Sequence, residues 1–209
     1  RATRLVVACL VGLAATAQAG DIPIVGSWSS STCGTGADVW GEGDLAYWAH
    51  FGESCVDIVD ISNPASPQWV SSFEVPSPDE FSSAQDVKGQ DGGGSPNAAG
   101  IVDVRNPANP TLLTTIRPTF GGDTLNRCHN LFYHEGYLYL TNSSSRKIWI
   151  VDLTTYDPDN PPATITTPKW VMTGVGTGFV HDITVLRNRL YASAWDQIIV
   201  YDITNIDTE

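Results

Sequence analysis

Val56-Asp57-Ile58-Val59-Asp60-Ile61-Ser62-Asn63-Pro64-Ala65-Ser66-Pro67 joins an apolar run to an Asp and then to a turn punctuated by prolines. The motif recurs. Ile101-Val102-Asp103-Val104-Arg105-Asn106-Pro107-Ala108-Asn109-Pro110 is nearly a copy, while Ile150-Val151-Asp152-Leu153-Thr154 and Val200-Tyr201-Asp202-Ile203-Thr204 keep the strand and its Asp. A shorter motif, an apolar strand led by Asp or Asn, precedes each copy: Asp38-Val39-Trp40, Asp86-Val87, Asn130-Leu131-Phe132 and Asp182-Ile183-Thr184-Val185. From the upstream residue to the downstream Asp the distances are 22, 17, 22 and 20 residues, and successive downstream Asp residues lie 43, 49 and 50 apart. Periods in the forties built from short strands are those of propeller blades, too long for leucine-rich or ankyrin repeats.

The third unit alternates most cleanly. Leu131 to Tyr133 reads as one strand, Tyr137 to Thr141 as a second, Lys147 to Leu153 as a third and Pro168 to Met172 as a fourth, on β-branched and aromatic content. The intervening loop Tyr156 to Pro162 holds prolines that cannot donate to a ladder. In the first unit the strands fall at Asp38 to Trp40, Leu45 to Phe51, Val56 to Ile61 and Gln68 to Val75. No helical periodicity of useful length follows Gly20.

The expected fold is therefore all-β, a propeller of four-stranded antiparallel blades. About four blades fall at 27–78, 79–127, 128–179 and 180–209. The second is stunted, because Lys88 to Gly100 is rich in glycine and resembles none of the second strands. The fourth lacks an outer strand at Glu209, so the reading expects a fragment of a longer propeller, with further C-terminal blades needed for ring closure.

The 209-residue chain carries a formal charge of -12, and no basic stripe exists to neutralise phosphates, which argues against nucleic acid as a partner. Arg1 and Arg4, the apolar run from Leu5 to Ala15 and Ala17-Gln18-Ala19 have the form of a signal peptide over 1–19. That run is too short to span a bilayer. Export leaves 20–209 as the propeller, secreted or at the cell surface, with no other transmembrane segment expected. Three cysteines then remain, Cys33, Cys55 and Cys128, which allow at most one disulfide; Cys33 with Cys55 is the local choice.

The aromatic strand, the Ile-Val-Asp strand and the Asn-Pro-Ala-x-Pro turn together resemble the LVIVD repeat of exported bacterial β-propellers, including those grouped as choice-of-anchor B proteins. The resemblance runs from about Ser27 to the end and is poor over Lys88 to Gly100. It implies a propeller of about seven blades on the cell surface, held by a variable anchor, with no settled catalytic activity.

Two sets of polar residues carry the chemistry. Asp60, Asp103, Asp152 and Asp202 end their strands before a turn, where a carboxylate can accept backbone N–H bonds and fix that turn. Asp38, Asp86, Asn130 and Asp182 begin the strands expected to line the central channel, so they would converge as a polar, ligand-binding ring. His129 and His181 stand beside two of them and could, with those carboxylates, hold a divalent metal; a hydrogen bond to backbone is the plainer alternative. No nucleophile elbow or zincin motif is present. Gly174-Val175-Gly176-Thr177-Gly178 reads as an interblade loop rather than a phosphate cradle, since no helix follows. Trp48, Trp149 and Trp195, with Tyr47, Tyr139 and Tyr191, read as strand residues packing blade to blade. The function expected is a surface scaffold for an unknown protein or small-molecule ligand, with a metal-assisted hydrolase or oxidase at the channel mouth as the alternative.

Overall fold

A computed structural model describes residues 23–29, 33–51, 55–74, 99–142 and 145–208. The expected signal peptide, Asp86 and residues 88–98 of the stretch expected to be stunted lie outside these residues, whereas Ala99 and Gly100 are described and belong to a strand. Among the described residues every regular element is a strand, and no helix is long and apolar enough to cross a membrane.

Blade one is an antiparallel sheet of β1 (Thr35–Glu42), β2 (Leu45–Phe51), β3 (Cys55–Asp60) and β4 (Gln68–Glu74), in that order. Blade two contributes β5 (Ala99–Asp103) and β6 (Thr111–Ile116), followed by a small hairpin of β7 (Thr119–Phe120) and β8 (Asp123–Thr124). In blade three β9 (Asn130–His134), β10 (Tyr137–Thr141) and β11 (Lys147–Asp152) lie in order. The loop after β11 carries β12 (Thr164–Ile165), and β13 (Trp170–Thr173) closes the sheet against β11. Blade four is β14 (Val180–Leu186), β15 (Arg189–Ala194) and β16 (Gln197–Asp202).

Burial explains why the period of two fades in mid-chain. All five residues of β10 are buried, as are Ile148 to Val151 of β11, because neighbouring blades cover both faces. One core packs Leu131, Leu138, Leu140, Trp149 and Val151 against Ala99 and Ile116 of blade two. The other packs Tyr137, Tyr139, Ile148 and Ile150 against Ile183, Val185, Leu190 and Ala192 of blade four. Strands covered on both sides read as continuous apolar runs. In β16 alternation survives: Ile199 and Tyr201 are partly covered while Ile198 and Val200 are exposed.

The hairpins follow backbone chirality. Glu135 and Gly136 have φ of 49° and 84°, and Arg187 and Asn188 have φ of 51° and 57°. Two successive positive φ values make a turn whose twist matches the flanking strands.

β12 departs from the sequence-based expectation, which places no strand there. Thr164 and Ile165 leave their own blade and pair in parallel with Thr115 and Ile116 of β6, supplying blade two with a third strand. An equivalent reach occurs at every junction described. The Ser71 hydroxyl of β4 donates to Pro107 O at 2.5 Å, the Thr114 hydroxyl of β6 donates to Pro162 O at 2.7 Å, and Trp170 Nε1 of β13 donates to Ile206 O at 3.0 Å. Each acceptor lies beyond the Asp-ended strand of the following blade. The turn motif thus anchors one blade to the outer strand of the one before it.

Candidate binding face at the blade starts

The four strand-ending Asp residues act on their turns. Asp60, Asp103, Asp152 and Asp202 each accept the backbone N–H two residues on, from Ser62, Arg105, Thr154 and Thr204, at 2.8, 2.9, 2.9 and 3.0 Å. All four carboxyls are held below the ordinary carboxylate range. The side chains of Ser62, Arg105, Thr154 and Thr204 are the largest cause, with the same residues' backbone N–H adding to it. This is the structural role their position predicts.

The upstream residues occupy one register. Asp38 pairs with Ala49, Asn130 with Thr141 and Asp182 with Ser193, so the cross-strand partner is the eleventh residue on in each blade. β1 and β14 each carry a β-bulge immediately before that residue, at Ala37 and His181. A bulge adds one unpaired residue and re-aims its side chain, and at His181 the ring meets His129 of blade three. The two imidazoles pack edge to face with centroids 4.6 Å apart. Asn130 and Asp182 join the same junction: the Ile183 N–H donates to Asp182 Oδ1 at 2.7 Å and lies 3.4 Å from Asn130 Oδ1. Asp38 stands at the equivalent place in blade one.

Burial pushes the His129 imidazole below its usual range, the neighbouring His181 adds to the shift and the Asp182 carboxylate opposes it. A neutral His129 ring offers a nitrogen lone pair for a cation or for a hydrogen-bond donor. Among the described residues, however, the group that brings three metal-donor atoms within 4.8 Å of one another lies elsewhere, at Cys33, His50 and Asp57.

Two further aromatics complete this face. Phe179 lies 6.0 Å from His181 and 5.2 Å from Trp195 by ring centroids. Trp195 departs from expectation, because it sits in the turn between β15 and β16 rather than on a strand. It has φ of 62° and is 68% exposed. A bulky residue in the left-handed region is strained by about 1–3 kcal/mol, and such strain clusters at functional sites. The glycine run explains the fit: a Cβ on Gly178 would stand 2.7 Å from Trp195 Cβ, and one on Gly176 would stand 2.5 Å from Ala194 Cβ. These glycines admit close packing, in keeping with an interblade loop. Trp149, 2% exposed, packs in the core as expected.

The LVIVD repeat family matches residues 33–75 and 97–117, which hold blade one and the strands of blade two. No curated protein matches the chain. Among solved structures it is similar to the computationally designed Ika4 protein, with 10% identity and a TM-score of 0.57 over 86% of this chain and 97% of that one. The β-propeller domain of Cps50 (Swd1) from Myceliophteria thermophila aligns at 9% identity and a TM-score of 0.58, over 81% of this chain and 54% of that one. AztD from Citrobacter koseri aligns at 15% identity and a TM-score of 0.51, over 83% of this chain and 45% of that one. The chain thus spans about half the length of these two natural proteins. At such identities the likeness concerns the fold: this chain is a repeat β-propeller, in which the LVIVD repeat matches residues 33–75 and 97–117.

Proposed function

We propose that the chain is an exported β-propeller that serves as a binding scaffold at the cell surface, taking a protein or small-molecule ligand where blades three and four begin. The observation that carries this reading is Trp195, strained and exposed at one end of a row of rings that runs through Phe179 and His181 to His129. Exposed aromatic surface next to convergent polar groups is what a binding site offers. The leader-like start, the acidic charge and the resemblance to choice-of-anchor B proteins support export and surface placement.

Binding of the fluorescently labelled protein to cells of the producing organism tests the proposal. Saturable binding that unlabelled protein displaces, and that falls about tenfold in His181→Ala/Trp195→Ser with the circular dichroism spectrum unchanged, is the expected result. Equal binding by the folded variant removes the assignment.

The approach of His129 to His181 favours a second reading, a metal-assisted hydrolase or oxidase at the same mouth. Metal analysis of the wild type beside His129→Ala/His181→Ala separates the two. Near-zero metal in both eliminates the metalloenzyme.

A further inference from the structure

A second group of chemistry-bearing side chains lies in blade one, apart from the repeated positions. His50 of β2 and Asp57 of β3 are both fully buried, and Cys55 is 6% exposed. Cys33, just before β1, is bonded to Cys55 with their Cα atoms 6.0 Å apart. Single donor atoms of Cys33, His50 and Asp57 lie within 4.8 Å of one another, and Cys33 Sγ is 3.5 Å from Asp57 Oδ1.

Hydrogen bookkeeping at this cluster is informative. His50 Nδ1 is 2.8 Å from Gly34 O, which can only accept, so Nδ1 carries the proton. A neutral ring then presents the lone pair of Nε2 to Asp57 Oδ2, 2.9 Å away. Two acceptors cannot face each other in a dry interior unless a proton or a cation lies between them. The surroundings match those of a metal site: the imidazole is oriented through its other nitrogen by a backbone carbonyl. The second carboxylate oxygen accepts from the Ser72 hydroxyl, which itself accepts from Trp69 Nε1 at 3.1 Å. Trp48 packs on the His50 ring at 4.5 Å and Trp28 on Trp48 at 5.7 Å, screening the cluster from solvent.

We propose that Cys33, Cys55, His50 and Asp57 form a two-state centre, a disulfide when oxidised and a four-donor Zn2+ site when reduced. A dithiol reductant supplies two electrons and two protons; the S–S bond breaks, two thiols form, and the reductant leaves as its own disulfide. Zn2+ then displaces to buffer both thiol protons and the proton shared by His50 Nε2 and Asp57 Oδ2, and takes two thiolates, His50 Nε2 and one Asp57 oxygen. Two thiolates, an imidazole and a carboxylate suit tetrahedral zinc. Zinc–ligand distances place the donor atoms about 3.3–3.8 Å apart, so the cluster closes with movements on the order of 1 Å. This centre is independent of the proposed binding face.

The full chain, reduced with a dithiol and freed of reductant without air, is titrated with Co2+ as a spectroscopic stand-in for zinc. The expected result is one equivalent bound, with thiolate-to-cobalt charge transfer, absent from the oxidised protein and from Cys33→Ser/Cys55→Ser but kept in His129→Ala/His181→Ala. Because those cysteine replacements could impair folding, wild-type protein is also alkylated with iodoacetamide and mapped by mass spectrometry. Zn2+ should slow labelling of Cys33 and Cys55 about tenfold relative to Cys128, and a chelator should restore it. Labelling of the pair that zinc leaves unchanged, or cobalt bound without thiolate charge transfer, overturns the proposal.

Discussion

His129 and His181 meet because a bulge places one ring against the other, and that contact adds to the burial that lowers the His129 pKa. The folded-state pKa of His129 is lowered, first by burial and then by His181, so between that value and the unfolded value of about 6.5 the unfolded chain holds more protons. Stability from this residue therefore rises with pH across that window and is complete above about 6.5. Titration of the His129 ring by NMR should give an inflection below about 6.5 that moves upward in His181→Ala. An inflection at or above that value in the wild type contradicts the account. At this scale the sequence is most legible where a residue recurs: the role of Asp60, Asp103, Asp152 and Asp202 follows from repetition alone. Trp195 is not legible, since an aromatic beside a strand looks like part of it and the sign of φ leaves no mark in the residue names. His50 and Asp57 do not stand out in the sequence because they sit within a single blade and repeat nowhere.

Among the elements, β2 and β10 coincide with their expected limits, because runs rich in aromatic and aliphatic residues lie between turn signals. β12 has no sequence signature because two residues have no period, and its partner belongs to the preceding blade. Thr114, 1% exposed, holds that clasp through Pro162 O and the Tyr156 hydroxyl, 3.0 Å away. Thr114→Val should cost about 1–3 kcal/mol in chemical denaturation, since it removes two hydrogen bonds worth about 0.5–1.5 kcal/mol each; a loss under about 0.5 kcal/mol would show that the clasp adds nothing. Gly174 and Gly176 provide an internal comparison. Both have positive φ, 70° and 62°, but only at Gly176 would a Cβ meet a neighbour. Gly174→Ala should cost about 1 kcal/mol from backbone strain, and Gly176→Ala about 1–3 kcal/mol more from overpacking against Ala194. Equal losses would refute close packing as the reason for the glycine.

At the scale of the molecule, the repeat period alone is enough to identify a propeller, and the Cys33–Cys55 bridge agrees with the local pairing. What the molecule binds cannot be read the same way, since the binding face is assembled from the starts of two blades, the loop between them and a turn within blade four. Its Trp195 is exposed, and so are Trp69 at 53% and Phe120 at 55%, in other blades. That distribution supplies its own control for hydroxyl-radical footprinting of the protein free and bound to cells. The account predicts protection of Trp195 and Phe179 on binding, with Trp69 and Phe120 oxidised as in the free protein. Protection of Trp69 or Phe120 with Trp195 left reactive would contradict a binding face at the start of blades three and four.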